Sequence, residues 1–153
     1  MGEVVKVGMA DLGVALPPDT IRTSGLGSCV GIVIYDNATL VSGLAHIMLP
    51  DSNQCRRQPL NEAKYADTAI DKLIDEMKQQ GARSFALKAK IAGGAQMFSF
   101  ASEMMRIGPR NVEAVKGRLN ELQIPIVAAD VGGKNGRTIE FFSTNDEIAN
   151  SDS

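Results

Sequence analysis

The run Cys29-Val30-Gly31-Ile32-Val33-Ile34-Tyr35, then Asp36-Asn37-Ala38-Thr39, then Leu40-Val41-Ser42-Gly43-Leu44-Ala45-His46-Ile47-Met48 reads as a β-hairpin. Both flanks are rich in β-branched and aliphatic residues, and the centre is a cluster of turn formers. With Asn37-Ala38 as a two-residue loop, Asp36 pairs with Thr39, and Cys29 falls directly opposite His46. Opposed residues of an antiparallel pair project to the same face, with Cβ atoms about 4.5–5.5 Å apart. A four-residue loop about the same centre keeps this register, and a three-residue loop shifts it by one. The hairpin thus brings the only histidine of the chain to a cysteine that ends a glycine-rich turn.

Working outward, Val4 to Leu16 reads as one or two short strands closed by Pro17-Pro18, and Thr20 to Ser24 as another. Asp51 to Pro59 is a polar loop. Asn61 to Gln80 is a helix, with Ala66, Ile70, Leu73 and Met77 on one face and Gly81 as its stop. Phe85, Leu87, Ala89 and Ile91 alternate with Ala86, Lys88, Lys90 and Ala92, a half-buried strand whose lysines form the wet face. A second helix starts near Pro109 or Asn111 and carries Val112, Val115, Leu119 and Leu122. Ile124 to Val131 and Thr138 to Phe142 are strands, and Asn145 to Ser153 is a polar, frayed tail. Strands without regular strand–helix–strand alternation make this an α+β layered domain.

The chain has 153 residues, enough for one domain with a substantial core. Its 16 basic and 18 acidic residues leave a net charge of −2, which speaks against nucleic-acid binding. Two cysteines are too few for a disulfide framework, and a single histidine makes a His/Cys zinc site implausible. Neither a metal nor a cofactor is expected. Glu3, Lys6 and Asp11 interrupt any leader-like run, and no stretch reaches the roughly 18 apolar residues of a membrane helix. The expected setting is a reducing, intracellular one, without membrane insertion.

A free cysteine titrates near about 8.5, so little of it is thiolate at neutral pH unless a neighbouring base takes the proton. His46 is that base in this reading, and the expected product is a thiolate–imidazolium pair. Gly25, Gly27 and Ser28 leave room for a substrate and direct backbone N–H groups at an oxyanion. Thr23, on the preceding strand, orients the imidazole; Asp36 and Asp51, at strand or loop ends, are weaker candidates. The same cysteine and histidine also fit the roles of a small core residue and a satisfied structural one. Cys55, beside Arg56 and Arg57, has no second histidine to serve it. Gly93-Gly94 and Gly132-Gly133 lack the endings of phosphate-binding loops and read as turns. Met97, Phe98, Phe100, Met104 and Met105 read as core or rim, with a docking patch as the other reading.

Thr23-Ser24-Gly25-Leu26-Gly27-Ser28-Cys29-Val30 resembles the T-x-G-L-G-S-C-V signature of the CheD family of chemoreceptor glutamine deamidases. Ala45-His46-Ile47-Met48-Leu49-Pro50-Asp51-Ser52 resembles its second block. Lys64-Tyr65-Ala66-Asp67, Lys90 through Phe98, Ile107-Gly108 through Asn111-Val112, and Asp130-Val131-Gly132-Gly133 ahead of Gly136-Arg137 match in order. The resemblance implies a layered sandwich of mixed β-sheets flanked by helices, similar to bacterial toxin deamidases. It implies a Cys–His–Thr triad of Cys29, His46 and Thr23. It further implies hydrolysis of glutamines on the cytoplasmic helical region of methyl-accepting chemotaxis receptors, and for some members of methyl esters. A CheC-type phosphatase is the implied partner, and the cytoplasm the implied location. The rivals are a non-catalytic regulator that binds such a phosphatase and a Cys-His protease or acyltransferase. Two departures stand out: the Gln54-Cys55-Arg56-Arg57 loop lacks expected glycines, and the short tail is read as lacking a terminal strand.

Overall fold

Val30–Asp36 and Ser42–Ile47, the two arms of the hairpin, are buried along their whole lengths. A strand covered on both faces reads as a continuous apolar run, as these do. They are β4 and β5 in a chain order that also has β1 (Val4–Lys6), β2 (Asp11–Ala15), β3 (Thr20–Thr23), α1 (Ala66–Gln79) and β6 (Leu87–Gly93). Then come α2 (Ile107–Glu121), β7 (Ile126–Val131), β8 (Arg137–Phe142) and β9 (Glu147–Asp152). The computed structural model describes residues 2–53, 60–96, 106–145 and 147–152. Cys55, Met97, Phe98, Phe100, Met104 and Met105 lie outside the described residues.

The described strands form a five-stranded sheet, β2-β5-β4-β6-β7, and a four-stranded sheet, β1-β3-β8-β9. Both are mixed, because β6 pairs with β7 and β1 with β3 in parallel while the other pairs are antiparallel. Alternation along β4 sends Val30, Ile32 and Ile34 to one face and Val33 and Tyr35 to the other. The first set packs with Ile70, Leu73 and Met77 of α1 and Val115 and Leu119 of α2. The second packs with Ile21, Ile139 and Phe141 of the four-stranded sheet, where the Tyr35 and Phe141 rings lie 5.0 Å apart. At about 1.5–3 kcal/mol per fully buried side chain, these two cores bind three layers together. Helix α1 approaches β5 closely at Gly43, where a Cβ would stand 2.7 Å from Leu73 Cδ1. The α+β layered architecture is as expected, with the helices on one side. No helix among the described residues is long and apolar enough to cross a membrane.

The hairpin register differs from the expected one by two residues: His46 stands opposite Gly31, and Val30 opposite Ile47. The loop is Asn37 to Leu40, because Asp36 N–H donates to Val41 O (3.0 Å) and Leu40 N–H to Asp36 O (2.8 Å). The Asp36 carboxylate fixes this turn by accepting from Ala38 N–H (2.9 Å) and from the Arg83 guanidinium and N–H. Those bonds hold the Asp36 carboxyl well below the usual carboxylate range. A two-residue shift preserves the alternation, so Cys29 still shares a face with His46. It lies diagonally across from it, where Cα atoms are typically about 7–8 Å apart.

Four further expectations are corrected. The helix predicted from Asn61 is a 3₁₀ turn at Glu62–Lys64 followed by α1, because Tyr65 is extended and bridges to Leu49. Phe85 sits in a 3₁₀ turn, 83% exposed, with the Arg83 guanidinium 5.2 Å from its ring, and not on the buried face of β6. Lys90 pairs with Val33 and turns between the sheets, its ammonium 5.7 Å from the Tyr35 and Phe141 rings. The tail supplies a terminal strand after all: β9 pairs with β8 from Phe142↔Glu147 to Arg137↔Asp152. Backbone bonds to an open sheet edge make that strand whatever the polarity of its side chains.

Candidate active site

Three strand ends converge where the two sheets face each other. Thr23 is the last residue of β3 in one sheet, and His46 lies on β5 in the other; their exposures are 2% and 0%. Thr23 Oγ1 and His46 Nδ1 are 2.8 Å apart. Thr23 has a single hydroxyl proton, which it donates to Val7 O at 2.7 Å. The hydroxyl therefore meets the ring as an acceptor, so Nδ1 must carry the proton. Nε2 is left as the basic nitrogen, and among the described residues it is buried without a hydrogen-bond partner. Such an orphan costs about 1–3 kcal/mol and is typically kept where chemistry uses it.

Cys29 sits one residue before β4, buried at the same inter-sheet face. Its turn is held by main chain on both sides. Leu26 and Arg137 exchange two backbone bonds of 3.1 Å, Gly94 N–H donates to Cys29 O (2.8 Å), and Ala95 N–H donates to Gly27 O (2.8 Å). Within the turn, Gly27 N–H donates to Gly25 O at 3.0 Å. Gly93 is what lets β6 come this close: a Cβ there would stand 2.3 Å from Cys29 O, and its φ of 110° is left-handed. The Gly93-Gly94 pair, read as a plain turn, is thus the backing of the cysteine turn. An open cleft beside Thr23 is bordered by Lys6, Val7, Arg22, Thr23 and Ser24.

Burial pushes the Cys29 thiol up and the His46 imidazole down. Both shifts are in the direction that favours the neutral forms. Neither alternative orienter reaches the ring: Asp36 is engaged by Arg83, and Asp51 accepts from Asn53 N–H at 3.1 Å.

Sequence reasoning did not single out two polar residues at the site. The Arg137 guanidinium, 8% exposed, donates to Gly93 O (3.1 Å) and Gly132 O (2.7 Å) and pairs with Asp130 at 3.1 Å. Asn111, fully buried on α2, donates through Nδ2 to Ser28 O and Met48 O, each at 2.9 Å. Both lie inside the matched segments, but a residue name gives no sign of which carbonyls it meets.

The profile of the CheD chemotactic sensory transduction family matches residues 48–151. The chain is 66% identical over 143 residues to the chemoreceptor glutamine deamidase CheD of Halalkalibacterium halodurans, covering 92% of this chain and 88% of that protein. It is 57% identical over 140 residues to the protein of the same name from Bacillus subtilis, covering 90% and 84%. A probable chemoreceptor glutamine deamidase CheD of Lachnoclostridium phytofermentans is 56% identical over 150 residues, covering 97% and 92%.

Proposed function

This chain belongs to the CheD family, and from that membership we propose that it deamidates glutamine side chains of chemoreceptors through Cys29, His46 and Thr23. The observation that carries the mechanism is the Thr23–His46 contact across the two sheets, which leaves Nε2 as an unpartnered base on the Cys29 face.

In this mechanism Cys29 Sγ attacks the side-chain carboxamide carbon while its proton passes to His46 Nε2. The C–S bond forms as the carbonyl π pair moves to oxygen. Gly27 N–H is already taken by Gly25 O, so the amides of Ser28 and Cys29 are the donors assigned to the oxyanion; each such donor is typically worth about 2.7–4 kcal/mol. Collapse breaks the C–N bond, and Nε2–H protonates the leaving ammonia. Water then attacks the thioester, giving its proton to Nε2, and the cysteine leaves to free the glutamate. Through both half-reactions Nδ1–H stays on Thr23, which holds the ring and supports the transient imidazolium.

The substrate proposed is the cytoplasmic helical region of methyl-accepting chemotaxis receptors, which places the reaction in the cytoplasm. A CheC-type phosphatase is the partner this family reading brings with it. Mass spectrometry of a receptor signalling fragment incubated with wild-type and Cys29→Ala protein tests the proposal. Site-specific conversion of amide to acid by wild type alone is the expected result. No conversion by either protein, or equal conversion by both, overturns it, and the first of these outcomes favours a phosphatase-binding regulator.

A further inference from the structure

The β4–β5 ladder ends at Val30↔Ile47. Continued in register, its next hydrogen-bonded pair would be Ser28 with Leu49, because the Cys29 backbone faces β6; this is where the cysteine turn and the histidine strand must keep their spacing. The Leu49 backbone goes elsewhere: its N–H donates to Lys64 O, and its O accepts from Ala66 N–H. What joins the two strands is a side chain from another layer. Asn111 Nδ2 donates one proton to Ser28 O, next to Cys29, and the other to Met48 O, two residues beyond His46.

We propose that Asn111 is a positioning residue for the Cys29–His46 pair, replacing the missing ladder rung with its two amide protons. The chemistry fits this task specifically. Two carbonyl oxygens need two donors from one point; a hydroxyl has one, a carboxylate none. Asn111 Oδ1, meanwhile, is buried without a partner among the described residues. An apolar residue of similar shape would avoid that unsatisfied oxygen, so packing alone does not account for the amide. Nothing in the geometry brings Asn111 into the reaction itself, since it touches neither Cys29 nor His46 by a hydrogen bond.

The inference rests on the deamidase reading for its kinetic consequence, but one test of it does not need a receptor. The experiment compares wild type, His46→Ala, Asn111→Asp and Asn111→Ala. It measures receptor-fragment deamidation and the pH profile of iodoacetamide alkylation at Cys29, read on the Cys29 peptide. Asn111→Asp keeps the shape and turns both bonds into repulsions. The expected result is a folded protein whose kcat falls about 10²-fold with KM within about twofold, the size of loss a displacement of about 1 Å produces. Its alkylation profile should also lose the component that His46→Ala removes. Asn111→Ala should show the same pattern and is the variant to read if the aspartate does not fold. Unchanged kcat and alkylation profile in a folded variant overturn the proposal, and so does failure of both variants to fold, which would make the amide a structural residue. If wild type leaves receptor amides intact while the Asn111 variants still change the alkylation profile, the functional reading falls and the positioning role stands.

Discussion

Thr23 and His46 are 23 residues apart, lie on different sheets, and meet at 2.8 Å in a space closed to solvent. The threonine hydroxyl is already donating to Val7 O, so it fixes the tautomer of the ring as well as its angle.

Removing that acceptor should therefore damage the chemistry more than the fold. Thr23→Val should lower kcat by about 10²-fold, the lower end of what general acid–base catalysis contributes. Thr23→Ser keeps the hydroxyl and should stay within about tenfold of wild type. Steady-state kinetics on a receptor fragment checks both; a Thr23→Val protein as active as Thr23→Ser would mean that the hydroxyl is not what the ring needs.

The direction of the pKa shifts sets the pH dependence. The base works only when neutral, and burial holds His46 below its ordinary value of about 6.5, so the acid limb of kcat/KM should fall below that pH. Stability follows the same signs. A histidine depressed in the fold gives stability that is present above about pH 6.5 and lost as pH falls through its folded value. A cysteine raised in the fold gives stability that is present below about pH 8.5 and lost as pH rises through its folded value. Thermal melts across pH should show Cys29→Ala flattening the alkaline side only and His46→Ala the acid side only.

Two glycine-to-alanine changes should separate site from scaffold. Gly43→Ala forces a methyl onto Leu73 and Met77 in the helix-side core and should cost about 1–3 kcal/mol of stability, as overpacking does, with activity retained in the folded fraction. Gly93→Ala collides with the Cys29 carbonyl and should abolish turnover even where the protein still melts cooperatively. Denaturation curves paired with specific activity distinguish the two patterns.

Truncation before Glu147 removes β9 and opens the edge of β8. The expected outcome is a lower melting temperature and a greater tendency to associate through the exposed edge, with the Thr23–His46 contact intact because β3 lies on the other side of β8. Light scattering and a melt decide it; an unchanged melt would mean that the terminal strand adds nothing to the fold.

What the sequence disclosed follows from which interactions are local. The apolar, β-branched runs of β4 and β5, the alternation in β6 and the helical repeat of Ala66, Ile70, Leu73 and Met77 are local, and the structure has those elements. The hairpin loop is one position later than the sequence suggested, and the carboxylate at its start, Asp36, is held by Arg83, 47 residues away. Thr23, Cys29 and His46 were legible as a group because short connections carry them to one sheet interface. Asn111 and Arg137 were not, since their partners are backbone carbonyls from distant turns, and carbonyls leave no mark in a sequence. The tail misled because its pairing is made by main chain, to which side-chain polarity is indifferent.

The division of the histidine and its acceptor between two sheets has a consequence for the life of the chain before it is finished. While either sheet is alone, the ring lacks the acceptor that fixes its proton. On the proposed mechanism, the base that serves the sulfur is complete only once the sandwich has closed.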